Sequence, residues 1–112
     1  MKISQLQKDK IECFELTGDL DFGTSPDLRE RLQKIFSRQS AQVLINLKNV
    51  AYIDSSGLAT FVDALKKSKQ ANGRLVLTEL APAVLSVFEI AKLDKIFTIT
   101  VTEVEALQIF NS

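Results

Sequence analysis

Val43-Leu44-Ile45-Asn46-Leu47, followed by Tyr52-Ile53-Asp54-Ser55-Ser56-Gly57-Leu58 and then Ala59-Thr60-Phe61-Val62, is the stretch on which the reading of the chain turns. Its first piece is a continuous apolar run, which fits a central strand covered on at least one face. Its last piece opens an amphipathic helix, with Leu58, Phe61, Val62 and Leu65 as the core stripe. An acid, two hydroxyls and a glycine therefore sit where a strand hands over to a helix. The first turn of a helix carries unpaired N–H groups and about half a positive charge. Asp and Ser are good N-caps, so a well-made helix start accounts for one polar residue here. It does not account for three, nor for Gly57, which lets another group come close. The pattern is that of a serine presented for modification.

Outward from this junction, the helix runs to about Gln70, and Asn72-Gly73 stops it with one residue left-handed. Arg74 to Thr78 is the next strand. Pro82 opens a helix with Val84, Val87, Phe88 and Ala91 facing inward, and Ile96 to Val101 is a β-branched strand. Thr102 can cap a last helix, with Glu105 completing a capping box and Val104, Leu107 and Phe110 as anchors.

Toward the N-terminus, the apolar strand spans Ser40 to Lys48. Before it, Leu28, Leu32, Ile35 and Phe36 share one face of a helix from about Pro26 to Arg38, with Arg29, Glu30, Arg31, Gln33 and Lys34 on the wet side. Thr24 or Ser25 can cap that helix, with Pro26 at or near its first position. Gly18 to Pro26 reads as a loop: Gly18 ends a strand, and Gly23 allows a turn that other residues resist. That strand is Ile11 to Thr17, with Phe14 and Leu16 on one face and Ile11 and Cys13 on the other. Lys8-Asp9 turns the chain back onto Lys2 to Gln7, a polar edge strand in an antiparallel hairpin.

The order is β-β-α-β-α-β-α-β-α, an α/β fold with a mainly parallel five-stranded sheet, its first strand antiparallel at the edge, and about four helices. Sites in such sheets lie at the carboxyl ends of the strands. With the second and third strands as parallel neighbours, Asp19, Asp21, Thr24, Asp54, Ser55 and Ser56 share one surface.

Bulk properties narrow the function. The 112 residues suit one domain, 1–112, able to bury its own core. Apolar residues are 46% and charged residues 25%, as in an ordinary globular protein. Fourteen basic and fourteen acidic residues give zero net charge, which argues against a nucleic-acid partner; Lys66, Lys67 and Lys69 read as the wet face of a helix. Histidine is absent, which removes a Ser-His-Asp triad, a phosphohistidine carrier and a His-ligated metal. Cys13 is the only cysteine, so no internal disulfide or Cys-x-x-Cys metal site forms. No apolar run approaches the ~20 residues that span a bilayer. Met1-Lys2-Ile3-Ser4 lacks the apolar core of a signal peptide, so the expected location is cytoplasmic, with no membrane partner.

Two motifs in this order resemble the STAS domain family, and within it the stand-alone bacterial anti-sigma factor antagonists. One is Leu16-Thr17-Gly18-Asp19-Leu20-Asp21 with Thr24 and Leu28. The other is Ile53-Asp54-Ser55-Ser56-Gly57-Leu58. Arg74-Leu75-Val76-Leu77 and Pro82-Ala83-Val84 also sit where that family has a strand and a Pro-led helix, so the likeness spans nearly the whole chain. Phe22-Gly23 departs from the usual polar pair. The resemblance implies a switch serine directly after the motif aspartate, here Ser55. It implies an anti-sigma factor serine kinase of histidine-kinase-like ATPase fold as binding partner, and a metal-dependent serine phosphatase that resets the switch. It implies no catalysis and no cofactor. The partner-binding surface would comprise Asp19, Asp21, Thr24, Asp54, Ser55, Ser56, Gly57 and Leu58, with Ser56 capping the helix and Gly57 open to the partner's backbone.

Three other readings compete. A serine hydrolase would need a base beside Ser55 or Ser56, and neither a histidine nor a Gly-x-Ser-x-Gly elbow is present. A nucleotide- or small-ligand-sensing module could use Gly18, Gly23 and the helix start. It lacks a Gly-Lys-Ser/Thr phosphate loop, and Asp19, Asp21 and Asp54 would repel an anion. A receiver with Asp54 as phosphoacceptor lacks the lysine in the strand from Ile96 to Val101.

Overall fold

The computed structural model describes residues 1–111, and the elements follow the expected order. They are β1 (Lys2–Lys8), β2 (Ile11–Leu20), α1 (Ser25–Ile35), β3 (Gln42–Ile53), α2 (Ser55–Gln70), β4 (Arg74–Thr78), α3 (Pro82–Ile90), β5 (Thr98–Thr100) and α4 (Glu103–Phe110). The sheet runs β1-β2-β3-β4-β5, with β1 antiparallel to β2 and all other pairs parallel. The β1–β2 turn falls on Asp9 and Lys10, one residue later than expected. Both have positive φ, 48° and 70°, as a two-residue hairpin turn requires.

Two strands are longer than the sequence pattern implies, and this positions the site. β2 does not end at Gly18. It passes through irregularities between Glu15 and Thr17 and between Gly18 and Asp19, with Gly18 at φ 112°, and continues to Leu20. β3 continues past the exposed Lys48 and Asn49, burying Val50 and Ile53. Pairing with β4 stops at Asn46, so the last turns of β2 and β3 project beyond the sheet as a two-stranded ribbon ending in the pair Leu20–Ile53.

Two apolar layers hold the sheet. Helices α1, α2 and α3 cover the face carrying Phe14, Leu16, Leu20, Val43, Ile45, Leu47, Leu75 and Leu77. Helix α4 covers Ile11, Cys13, Leu44 and Val76 on the opposite face, through Ala106 and Phe110. Phe88 of α3 packs against α2 and the segment before β5, with its ring edge-on to Phe97 at 5.5 Å and tilted to Phe61 at 6.0 Å. Burial pushes the Cys13 thiol pKa up; Lys8 opposes this and Glu103, Glu12 and Glu15 add to it.

Several packing expectations need correction. On α2 the buried line is Gly57, Thr60, Phe61, Ala64 and Ser68, while Leu58, Val62 and Leu65 pack only at its edge. The small residues Gly57, Thr60, Ala64 and Ser68, at a three-four-four spacing, form most of that line, with Phe61 as its one large side chain. Ala91 is exposed, as the C-cap of α3. Val104 is 66% exposed, leaving Ala106 and Phe110, with Leu107 alongside, to anchor α4. The last strand is only three residues long, and Ile96 and Val101 are exposed. Asn72 takes the left-handed turn after α2 (φ 54°), whereas Gly23 does not have a positive φ.

Candidate functional site

Asp54 joins the two loops at the carboxyl end of the sheet. It leaves β3 with extended backbone, so its side chain can fold back over the first turn of α2. Oδ1 accepts the Gly57 N–H at 3.0 Å, which makes Asp54 the N-cap. Oδ2 accepts the Phe22 N–H at 3.2 Å, across thirty-two residues of sequence. The Asp54 N–H donates to the Leu20 carbonyl at 3.2 Å. One carboxylate thus caps α2 and ties down the β2–α1 loop. Ser56 is therefore not the cap. Ser55 is the first helical residue and is exposed; Ser56 is second and half-buried, its carbonyl accepting the Thr60 hydroxyl at 3.0 Å.

The β2–α1 loop is braced from within. Asp21 Oδ1 accepts the N–H groups of Gly23 and Thr24 at 3.0 and 3.1 Å. The Thr24 hydroxyl donates to the Asp19 carbonyl at 2.8 Å and accepts the Asp21 N–H at 2.9 Å. Thr24 occupies the N-cap position of α1, yet its side chain makes no cap bond to the helix. Asp21 and Thr24 shape the loop, Asp19 stays exposed beside it, and Phe22 stands at the tip, 80% exposed.

Gly57 faces inward, against expectation. A Cβ at this position would lie 2.7 Å from Ile53 Cγ1, 2.8 Å from the Leu20 carbonyl oxygen and 3.0 Å from Leu20 Cγ. A partner's backbone has no access here; the close approach is between α2 and the β2–β3 ribbon. Leu58 is half-buried and lines a shallow depression with Ser55, Ala59, Val62, Asp63 and Lys66.

Between α1 and α2 lies a groove of about 600 Å³, walled by Ser55, Ser56 and Ala59 on one side and by Pro26, Arg29, Glu30 and Gln33 on the other, with Phe22 at its mouth. Phe22, Arg29 and Gln33 were absent from the expected surface. Gln33 is exposed, as its wet-face position implies, and reaches Asp63 at 3.5 Å, whereas Arg29 is half-buried because α2, distant in sequence, lies across its part of α1. An exposed phenylalanine beside a glycine is the one signal that could have placed Phe22. Among the described residues, no cluster of three or more His, Cys, Asp or Glu is placed to hold a metal, and no helix is long and apolar enough to cross a membrane.

The STAS domain model matches residues 2–106. The chain belongs to the STAS domain family. Its relatives include the anti-sigma-B factor antagonist of Listeria monocytogenes, 33% identical over 105 residues, spanning 94% of this chain and 91% of that one. Among solved structures, the anti-sigma factor antagonist SpoIIAA in its unphosphorylated form superimposes with a TM-score of 0.76 at 19% identity, over 99% of each chain. The phosphorylated form of the Bacillus cell fate determinant SpoIIAA gives 0.74 at 20% identity, over 97% of this chain and 99% of that one. These two likenesses establish the shared STAS fold.

Proposed function

We propose that this STAS protein is an anti-sigma factor antagonist switched by phosphorylation at Ser55. The carrying observation is the placement of Ser55: exposed, first in α2, and directly after the aspartate that locks both loops. An anti-sigma factor of histidine-kinase-like ATPase fold would bind the unmodified surface and release its sigma factor. That surface comprises Asp19, Phe22, Ser55, Ser56 and Leu58, held in shape by Asp21, Thr24 and Asp54. The same partner would then transfer the γ-phosphoryl group of ATP. The Ser55 Oγ–P bond forms, the bond to the β-phosphate oxygen breaks, the hydroxyl proton leaves, and ADP departs.

The added phosphate brings about −1.5 to −2 charges and three acceptor oxygens. A partner surface shaped for a neutral hydroxyl would lose contact through bulk, desolvation and like-charge repulsion. A metal-dependent serine phosphatase would hydrolyse the ester and restore binding, the whole cycle running in the cytoplasm. The chain itself performs no catalysis in this reading. Each Asp54 oxygen accepts a backbone N–H, so in this reading the carboxylate serves as cap and tether, not as a base for Ser55 or a phosphoacceptor. Supporting this reading are the names of the curated relatives and the existence of SpoIIAA in both phosphorylation states. The test is to incubate the protein with the cognate kinase and ATP and to map the phosphate by mass spectrometry. Label on Ser56 or Thr60, with Ser55 unmodified, overturns the assignment.

A further inference from the structure

The groove beside Ser55 contains a cation that pairs with no acid among the described residues. The one hydrogen bond of Arg29 to those residues runs from Nη2 to the Thr60 hydroxyl at 3.4 Å, and its buried Nε has no acceptor. A guanidinium carries five N–H donors in a planar fork. Neighbouring acids are engaged elsewhere: Asp27 pairs with Arg31 at 3.3 Å, and Asp63 with Lys67 at 3.3 Å. Thr60 in turn donates to the Ser56 carbonyl, so Arg29 is one hydroxyl removed from the backbone of the residue that follows Ser55. Glu30 also lines the groove but is exposed and makes no ion pair with Arg29.

We infer that Arg29 receives the phosphoryl group of modified Ser55, drawing it into the α1–α2 groove. This rests on the proposal that Ser55 is the switch. Phosphate oxygens match the guanidinium fork, and charge-assisted bonds of this kind are about twice as strong as neutral ones. Ser55 and Arg29 line opposite walls of the same groove, so the partner need not supply the cation. The phosphoryl group then occupies the part of the groove between Ser55 and Arg29. Phosphorylation closes the docking surface from within as well as repelling the partner.

The test places phosphoserine at position 55 by codon suppression, which needs no kinase, and titrates it by phosphorus NMR at low salt. In the otherwise unchanged protein the second phosphate pKa should fall roughly one unit below its usual value of about 6. Arg29→Gln should return most of that shift, and Arg29→Lys should keep part of it. Helix α2 is retained in both variants, so the difference isolates the side chain at position 29. Equal phosphate pKa values with and without the Arg29→Gln substitution would overturn the inference. Should Arg29→Gln not fold, nitrogen–proton NMR of the unsubstituted protein decides: the Arg29 Nε–H signal moves on phosphorylation, or the inference falls. Kinase labelling of another residue would sink the Ser55 switch and leave this titration readable, so the two failures are distinct.

Discussion

Gly57→Ala sets two effects of opposite sign against each other. Alanine favours a helix over glycine by about 0.8–1.0 kcal/mol, so local propensity predicts stabilisation. The tertiary structure predicts the reverse. A methyl carbon would lie 2.7 Å from Ile53 Cγ1 and 2.8 Å from the Leu20 oxygen. Carbon atoms prefer separations of about 3.5–4.0 Å, so the start of α2 must retreat by several tenths of an ångström at least. The neighbours cannot yield cheaply, because Leu20 and Ile53 are buried and the oxygen belongs to the backbone of β2. Overpacking of this kind costs typically about 1–3 kcal/mol. Because the clash is with a backbone oxygen and buried side chains, the upper part of that range applies, about 2–3 kcal/mol, and subtracting propensity leaves an expected net loss of about 1–2 kcal/mol. In urea unfolding, at about 1–3 kcal/mol per molar, the midpoint should drop by roughly 0.5–1 M with unchanged slope. Gly57→Val adds two further carbons and should unfold the domain or nearly so, losing stability together with binding. An alanine variant as stable as the parent, or more so, would refute the packing argument and return Gly57 to the partner-facing role.

Ser55→Ala should bind the kinase constitutively, whereas Ser55→Asp should bind weakly yet melt within a few degrees of the parent; equal affinities of the two in a titration would contradict the switch. Asp54→Ala removes the α2 cap and the tether to Phe22, so stability should fall by about 1–3 kcal/mol. Hydrogen exchange should speed up selectively at Gly57 and Phe22, and uniform exchange would deny the tether. The raised Cys13 pKa carries a stability consequence. Folding favours the neutral thiol, so this contribution is complete below the unfolded value near 9.0 and is lost as pH rises through the higher folded value. Thiolate absorbance should appear in the folded protein only at pH above 9.0, and a thiolate forming below it would contradict the burial.

Much of the fold was legible in the chain because its signals are local. Apolar runs at Val43 to Leu47 and Leu75 to Leu77, the helical stripe of Leu28, Leu32 and Ile35, and the Thr102–Glu105 capping box each depend on neighbours within a turn or a strand. Alternation of strands and helices then left few topologies, and both loops of the site fell at one end of the sheet. The extensions of β2 to Leu20 and of β3 to Ile53 were not legible, because Gly18, Lys48 and Asn49 are residues that locally end strands. Pairing between distant segments overrode those preferences.

The sequence by itself determined the α/β order, the parallel sheet, the exposed position of Ser55 at a strand-to-helix corner and the absence of any histidine base beside it. Only the tertiary structure decided which polar residue does what around that corner. Asp54 joins the two loops because the β2–α1 loop presents the Phe22 N–H to the oxygen that the local α2 cap leaves free. Gly57 is buried because β2 and β3 run on together beneath it. Arg29 acquires a buried, unpartnered nitrogen because α2 lies across its face of α1. Each of these facts depends on a contact between segments some thirty residues apart, and local periodicity carries no information about the distances across such a contact.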